Sequence, residues 1–174
     1  MQIIRLSDLA LLASEDRYSL QSTVDVAVQL LRVPMALISV VETHNDRQIF
    51  LAHRGLSAPY DSTEESSLDL CLCKDVIANG EPLSIDDTAA DPKYRDHPAV
   101  ETFGLRSYMG FPVFGPFDMP FAALSVADTA PRVWEERDKH ILGYLARQTT
   151  RYMQGKAEKA MERSGIKPPH ILIE

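Results

Sequence analysis

The chain has 174 residues and a mass of 19.5 kDa, with 45% hydrophobic and 25% charged residues. That is enough for one domain with its own core, and it excludes a disordered chain, a collagen or a coiled-coil rod as the main architecture. The formal charge of −7 comes from 18 basic and 25 acidic residues, which makes nucleic acid a poor partner. No run approaches the ~18 uninterrupted apolar residues of a membrane span. The N-terminal stretch carries Asp8, Glu15 and Asp16 without a basic start or a cleavage pattern, so no signal peptide is read. The expected setting is the cytoplasm.

Residues 1–15 read as a short helical extension. Residues 16–33 follow as a helix, because Leu20, Val24, Ala27, Val28 and Leu31 make one apolar stripe and Pro34 stops it. MALISVVE (35–42) is β-branched and apolar on both sides of the pleat, which predicts a strand covered on both faces. A turn around Asn45 returns the chain into a second strand, RQIFLAH (47–53). The stretch 54–67, with Gly55, Pro59 and several Ser and Thr residues, reads as a loop.

LDLCLCKDVIAN (68–79) reads as a helix with Leu70, Cys73, Val76 and Ile77 on one face, stopped by Gly80. PLSI (82–85) is a short strand, and 86–104 is a long connection with one or two helical turns; such long loops inside a compact domain tend to be functional. RSYMGFPV (106–113) and PFAALSVA (120–127) form a hairpin, with Pro112 and Pro120 near the strand ends. From about 132 onward the chain is helical. Trp134, Ile141, Leu145, Gln148 and Tyr152 repeat along it, and Leu142, Ala146 and Met153 widen the stripe. This helix, to about 163, would be about 45 Å long, more than one small domain covers, so its excess either pairs with a second copy of the chain, the expected partner through 16–33 and 134–163, or leads into something else. Residues 164–174 read as a tail or linker. Hairpin neighbours and flanking helices predict an α+β fold on a mainly antiparallel sheet.

The only cysteines, Cys71 and Cys73, are one residue apart; bridging them would strain the backbone, so both are read as free thiols in a reducing compartment. Two thiols also fall short of a zinc site.

The runs LCKDVIANGEPLSIDDTAADPKYRDHPAV (72–100), GLRSYMGFPV (104–113) and FAALSVADTAPRVW (121–134) resemble, in order and spacing, a bacterial sensor GAF domain. The resemblance spans roughly 16–155, and the domain is taken as 16–163. It implies a PAS-related fold: a central antiparallel sheet, terminal helices packed on one face, and on the other a pocket closed by the long loop and the 68–79 helix. It further implies a non-catalytic sensory module that binds a small molecule and signals through dimeric terminal helices to an output domain or partner protein. The alternatives are a dimerisation module with a filled pocket, and a thiol-dependent reductase of free methionine sulfoxide. The loop 86–105 lacks the cysteine that bilin attachment or the reductase chemistry uses, so no covalent bilin is expected, and the cofactor stays unnamed.

Candidate ligand contacts are Phe50, Cys73, Asp86, Tyr94, His97, Arg106, Tyr108 and Ser125. Each has a plainer reading. Cys73 would serve as a small buried hydrophobe. His97, Tyr94 and Asp96 would make local turn contacts, with Asp96 capping a short turn that has Pro98 at its first position. Asp86 and Asp87 would solvate a loop, and without a third donor they make no metal site. Alternation puts Arg106, Tyr108, Gly110 and Pro112 on one side of their strand, without saying which face that is. No catalytic or metal-binding motif is present. Segment 60–101 holds eleven acidic and three basic residues. If it closes a pocket, it disfavours anions such as cyclic nucleotides and suits a neutral or cationic metabolite.

Overall fold

The computed structural model describes residues 14–164. The extension expected over 1–15 and the tail over 164–174 fall almost wholly outside the described residues. Four helices and six strands follow one another: α1 (Ser14–Leu31), β1 (Met35–Glu42), β2 (Arg47–Arg54), β3 (Glu65–Ser67), α2 (Cys73–Asn79), β4 (Leu83–Ile85), α3 (Pro98–Phe103), β5 (Ser107–Phe114), β6 (Pro120–Asp128) and α4 (Glu136–Ser164). The strands form one antiparallel sheet in the order β3-β2-β1-β6-β5-β4. The α+β architecture expected from the sequence is the one observed.

The sheet alternates as its sequence requires. On β1, Ala36, Ile38 and Val40 face the terminal helices, and Met35 and Ser39 face the other way. A bulge at Ile38/Ser39 lets the successive residues Leu51 and Ala52 of β2 both join the helix-side core, while Phe50 and Gln48 point to the opposite face. Leu20, Val24, Ala27 and Leu31 of α1 and Leu142, Ala146, Met153 and Ala157 of α4 cover the helix side. Asp16, fully buried, ties α1 to α4 by accepting from the Tyr152 hydroxyl and from the Lys156 ammonium at 2.6 Å.

Four expectations shift. The loop 54–67 contains the edge strand β3, which is three residues long and so carries no readable periodicity. The helix expected over 68–79 begins at Cys73; Leu68–Leu70 form a single 3-10 turn capped by Ser67. The turn expected around Asn45 is a 3-10 turn over Thr43–Asn45, closed by Asp46 in the left-handed region. The last helix starts at Glu136, because Arg132 and Trp134 are bonded to Leu31, Arg32, Ile85 and Asp86, and its buried stripe runs Leu142, Ala146, Thr149, Met153, Ala157. Ile141, Leu145 and Tyr152 flank that stripe, and Gln148 is exposed.

Candidate functional site

On the face of the sheet away from the terminal helices, a second apolar cluster joins α2, α3, β4 and the loops between them to the strands. It borders a half-open cavity of about 50 Å³. Phe50 and Gln48 of β2, Tyr108 of β5 and Ser125 of β6 form its floor; Leu72, Cys73, Ala99, Phe103 and Leu105 form the wall opposite. A space of this size holds roughly four waters, well below the ~300 Å³ of a typical ligand pocket.

The sequence could not say which face of β5 carries Tyr108. It is the cavity face. Tyr108 is 4% exposed, and a side chain at Gly110 would lie 2.5 Å from its hydroxyl, so Gly110 is the space the phenol occupies. Met109 and Val113 face the helices instead. The Tyr108 hydroxyl is buried beside the Ser125 side chain, without a partner at good hydrogen-bond geometry. An unmet buried hydroxyl costs about 1–3 kcal/mol. Burial raises the phenol well above its ordinary range, so it keeps its proton.

The polar groups beside it have protein partners. The Cys73 thiol lies 3.0 Å from the Ser39 hydroxyl, 2.7 Å from the Cys71 sulfur and 3.6 Å from the Gln48 carbonyl oxygen. Gln48 donates to the Ser66 hydroxyl at 2.7 Å and to the Leu70 carbonyl at 3.4 Å. Ser125 donates to the Leu37 carbonyl at 3.4 Å. Both thiols are free and buried. The neighbouring Cys73 sulfur, and then burial, push the Cys71 thiol far up; donation from Cys71 and Ser39 favours ionisation at Cys73 first.

Of the eight candidate contacts, Phe50, Cys73, Tyr108 and Ser125 line the cavity; the other four do not. Tyr94 donates to Asp75 at 2.7 Å, and Lys93 reaches the same oxygen at 2.9 Å, pinning the long loop to α2. Arg106 forks onto both oxygens of Asp87 at 3.0 and 3.1 Å. Asp86 accepts from the Trp134 amide at 3.2 Å and, through its carbonyl, from the Arg132 amide at 2.8 Å. His97 caps α3: its Nδ1 accepts from the Ala99 amide at 3.2 Å, the role expected of Asp96, while Pro98 takes the first helical position as expected. Gln48, Ser39 and Thr88 escaped the sequence reading. Thr88 is fully buried and fixes the loop to the base of β5 by bonds to the Leu105 and Arg106 carbonyls; a lone threonine in an acidic loop carries no periodic signal.

No acidic or basic side chain lines the cavity. The acidic residues of segment 60–101 lie outside it, where Asp75 and Asp87 are paired and Asp61, Glu64, Asp69 and Glu101 are exposed. The acidic residues behind the expectation of a neutral or cationic ligand therefore surround the cavity without lining it. Among the described residues no group of three or more His, Cys, Asp or Glu is placed to hold a metal, and no helix is long and apolar enough to cross a membrane.

Burial, and then Lys74, lower the His97 pKa from its ordinary 6.5; burial lowers that of His53. The unfolded chain therefore binds more protons than the folded one as pH falls through about 6.5, and stability drops with it. We expect the urea midpoint to fall between about pH 7 and pH 5, and His97→Asn, which keeps a cap, to flatten that slope while leaving stability near pH 7 within about 0.5 kcal/mol. An unchanged slope would contradict the assignment.

A GAF domain family model matches residues 19–152. A cyclic di-GMP phosphodiesterase from Pseudomonas aeruginosa is 30% identical over 123 residues, covering 70% of this chain and 20% of that protein, so the chain spans about a fifth of that relative. The GAF domain of an Acinetobacter phosphoenolpyruvate-protein phosphotransferase superposes with a TM-score of 0.65 at 20% identity, over 95% of this chain and 100% of that one. A free methionine-R-sulfoxide reductase from Neisseria meningitidis gives 0.65 at 18% identity, over 88% and 86%. With a family match across most of its length and this sheet beneath it, the chain belongs to the GAF domain family.

Proposed function

We propose that this GAF domain is a non-catalytic sensor: a small molecule in the cavity alters the lid, and the lid alters the terminal helices, which act on an output domain or partner protein in a homodimer. The observation that carries this reading is the junction at Asp86. The root of the lid loop is bonded directly to the segment that starts α4, through Asp86 to the Trp134 and Arg132 amides and through the Trp134 indole donating to the Ile85 carbonyl at 3.1 Å. The same segment reaches the end of α1, where the Arg132 guanidinium donates to the Leu31 and Arg32 carbonyls at 2.7 and 3.2 Å. A change in lid position is thus carried from Asp86 through Trp134 to the segment before α4 and through Arg132 to the end of α1, which is the physical contact a population shift needs.

The dimer is supported by apolar side chains left uncovered on the helices: Tyr18 is 78% exposed, Leu30 52% and Tyr144 55%, with Val26 between the first two on α1. Native mass spectrometry at tens of micromolar tests both halves. We expect a dimer carrying a noncovalent adduct that denaturation removes, and Leu30→Glu to give monomer. A wild-type monomer overturns the helix-mediated mechanism.

A dimerisation module with a filled pocket is the second reading, favoured by the cavity of about 50 Å³; a dimer without adduct would support it. Reduction of free methionine sulfoxide fits less well. That substrate is a zwitterion, and the cavity offers no charged partner for either end.

A further inference from the structure

We propose that the homodimer is built by two copies of α4 lying antiparallel, with the two-fold axis passing between Gln154 and Gly155, so that Arg147 and Arg151 of one protomer meet the partner's Glu162 and the partner's Glu158. The proposal rests on the dimer of the sensory reading above and names the surface and the direction of its pairing.

The outer face of α4 carries its charge in two blocks. Arg147, Arg151, Glu158 and Glu162 are all exposed, and none has a hydrogen bond or ion pair among the described residues. At about 3.6 residues per turn they fall within roughly 60° of one another, on the side away from Leu142, Ala146, Met153 and Ala157 in the core. Within one chain the pattern is unfavourable, because each block sets like charges at i and i+4. A parallel copy would repeat the fault, with arginine against arginine and glutamate against glutamate. An antiparallel copy corrects it. Arg147 and Glu162 lie equally far from the point between Gln154 and Gly155, and so do Arg151 and Glu158. One two-fold axis at that point therefore sets every arginine of the pair opposite a glutamate. The centre is open to close approach. A Cβ at Gly155 would meet nothing within 4 Å, and Gln154 is drawn aside by bonds at 3.1 Å to the Gly115 carbonyl and the Asp118 carboxylate. No large side chain thus holds the two helices apart. Apolar contact comes from the same axis. The groove beside Arg147 and Arg151 is lined by Pro82, Phe111 and Phe114, and Phe117, 39% exposed, stands beside Glu158 and Glu162. The axis brings the partner's Phe117 over that groove. Apolar contact supplies affinity, and the charge blocks fix direction.

The test is native mass spectrometry of the full chain with two double variants: Arg147→Glu with Arg151→Glu, and Glu158→Arg with Glu162→Arg. At a concentration where the wild type is dimeric, we expect each variant alone to be monomeric, its dimer weakened about a hundredfold or more, because every facing pair becomes like-charged. Mixed in equal amounts, the two should form a heterodimer as tight as the wild type, since each arginine again faces a glutamate. A chain carrying all four exchanges keeps opposite charges across the axis and should dimerise by itself. In a parallel pair like charges already face one another, so the double variants would dimerise as the wild type does. That result would overturn the antiparallel arrangement and leave the sensory dimer standing. A mixture that stays monomeric, or a monomeric fourfold exchange, would overturn the arrangement as well. A wild-type monomer would overturn both the arrangement and the dimer of the sensory reading.

Discussion

Trp134→Ala is expected to cost about 3–5 kcal/mol of folding stability, among the largest losses available at a single position. The indole is 3% exposed in the helix-side core, its ring nitrogen donates to the Ile85 carbonyl at 3.1 Å, and the Arg132 guanidinium stacks over it at 5.2 Å from the ring centre. Truncation leaves a void, strands a buried carbonyl and removes the surface that holds Arg132 against α1. Trp134→Phe keeps most of the volume and loses the donor, so it should cost about 1–2 kcal/mol. Urea unfolding of the pair separates packing from the hydrogen bond. A loss under about 1 kcal/mol for the alanine variant would mean that the α4 junction is not the fixed point described.

Gly55→Ala is the second large effect. Gly55 ends β2 with φ of +80°, and a Cβ there would sit 1.9 Å from the Pro34 carbonyl oxygen. Left-handed backbone costs an alanine about 1–2 kcal/mol. The collision is with backbone, which no rotamer change relieves, so the strand end must move and the total should reach about 3 kcal/mol or more. Gly80→Ala is the control. Its φ is +66°, but its nearest neighbour is the Pro120 side chain at 3.6 Å, so it should show only the conformational part, about 1–2 kcal/mol. Equal costs for the two variants in chemical denaturation would refute the steric account.

The strands longer than five residues and the core of the terminal helices were legible because their apolar residues repeat over several turns or pleats. Of the two three-residue strands, β4 was read at 82–85 and β3 was missed. β3 has three residues, and the turn at Leu68–Leu70 looked continuous with α2 because Leu, Cys and Val at helical spacing do not show where hydrogen bonding starts. The site was legible in part for a related reason. Phe50, Tyr108 and Ser125 fall on strands, where alternation groups neighbours once one face is known. Asp86, Tyr94, His97 and Arg106 sit in or beside the long loop, where direction depends on tertiary bonds to Trp134, Asp75 and Asp87 and, for His97, on a local cap to Ala99. Gln48 and Ser39 were unreadable because a buried polar residue within an apolar strand shows its purpose only when its partner arrives from another element, β3 for Gln48 and α2 for Ser39.

The order of the strands has a kinetic consequence. β1, β2 and β3 follow one another in the chain, as do β4, β5 and β6, but the centre of the sheet joins β1 to β6 by pairs such as Ser39 with Ala123. Each half closes locally. The central seam closes a loop of about 80 residues, the slow kind of contact in a folding chain. Phe50 and Gln48 come from the first half of the sheet, Tyr108 and Ser125 from the second. The cavity is therefore created only when the halves dock, and whatever occupies it acts as a clasp across the last joint to close.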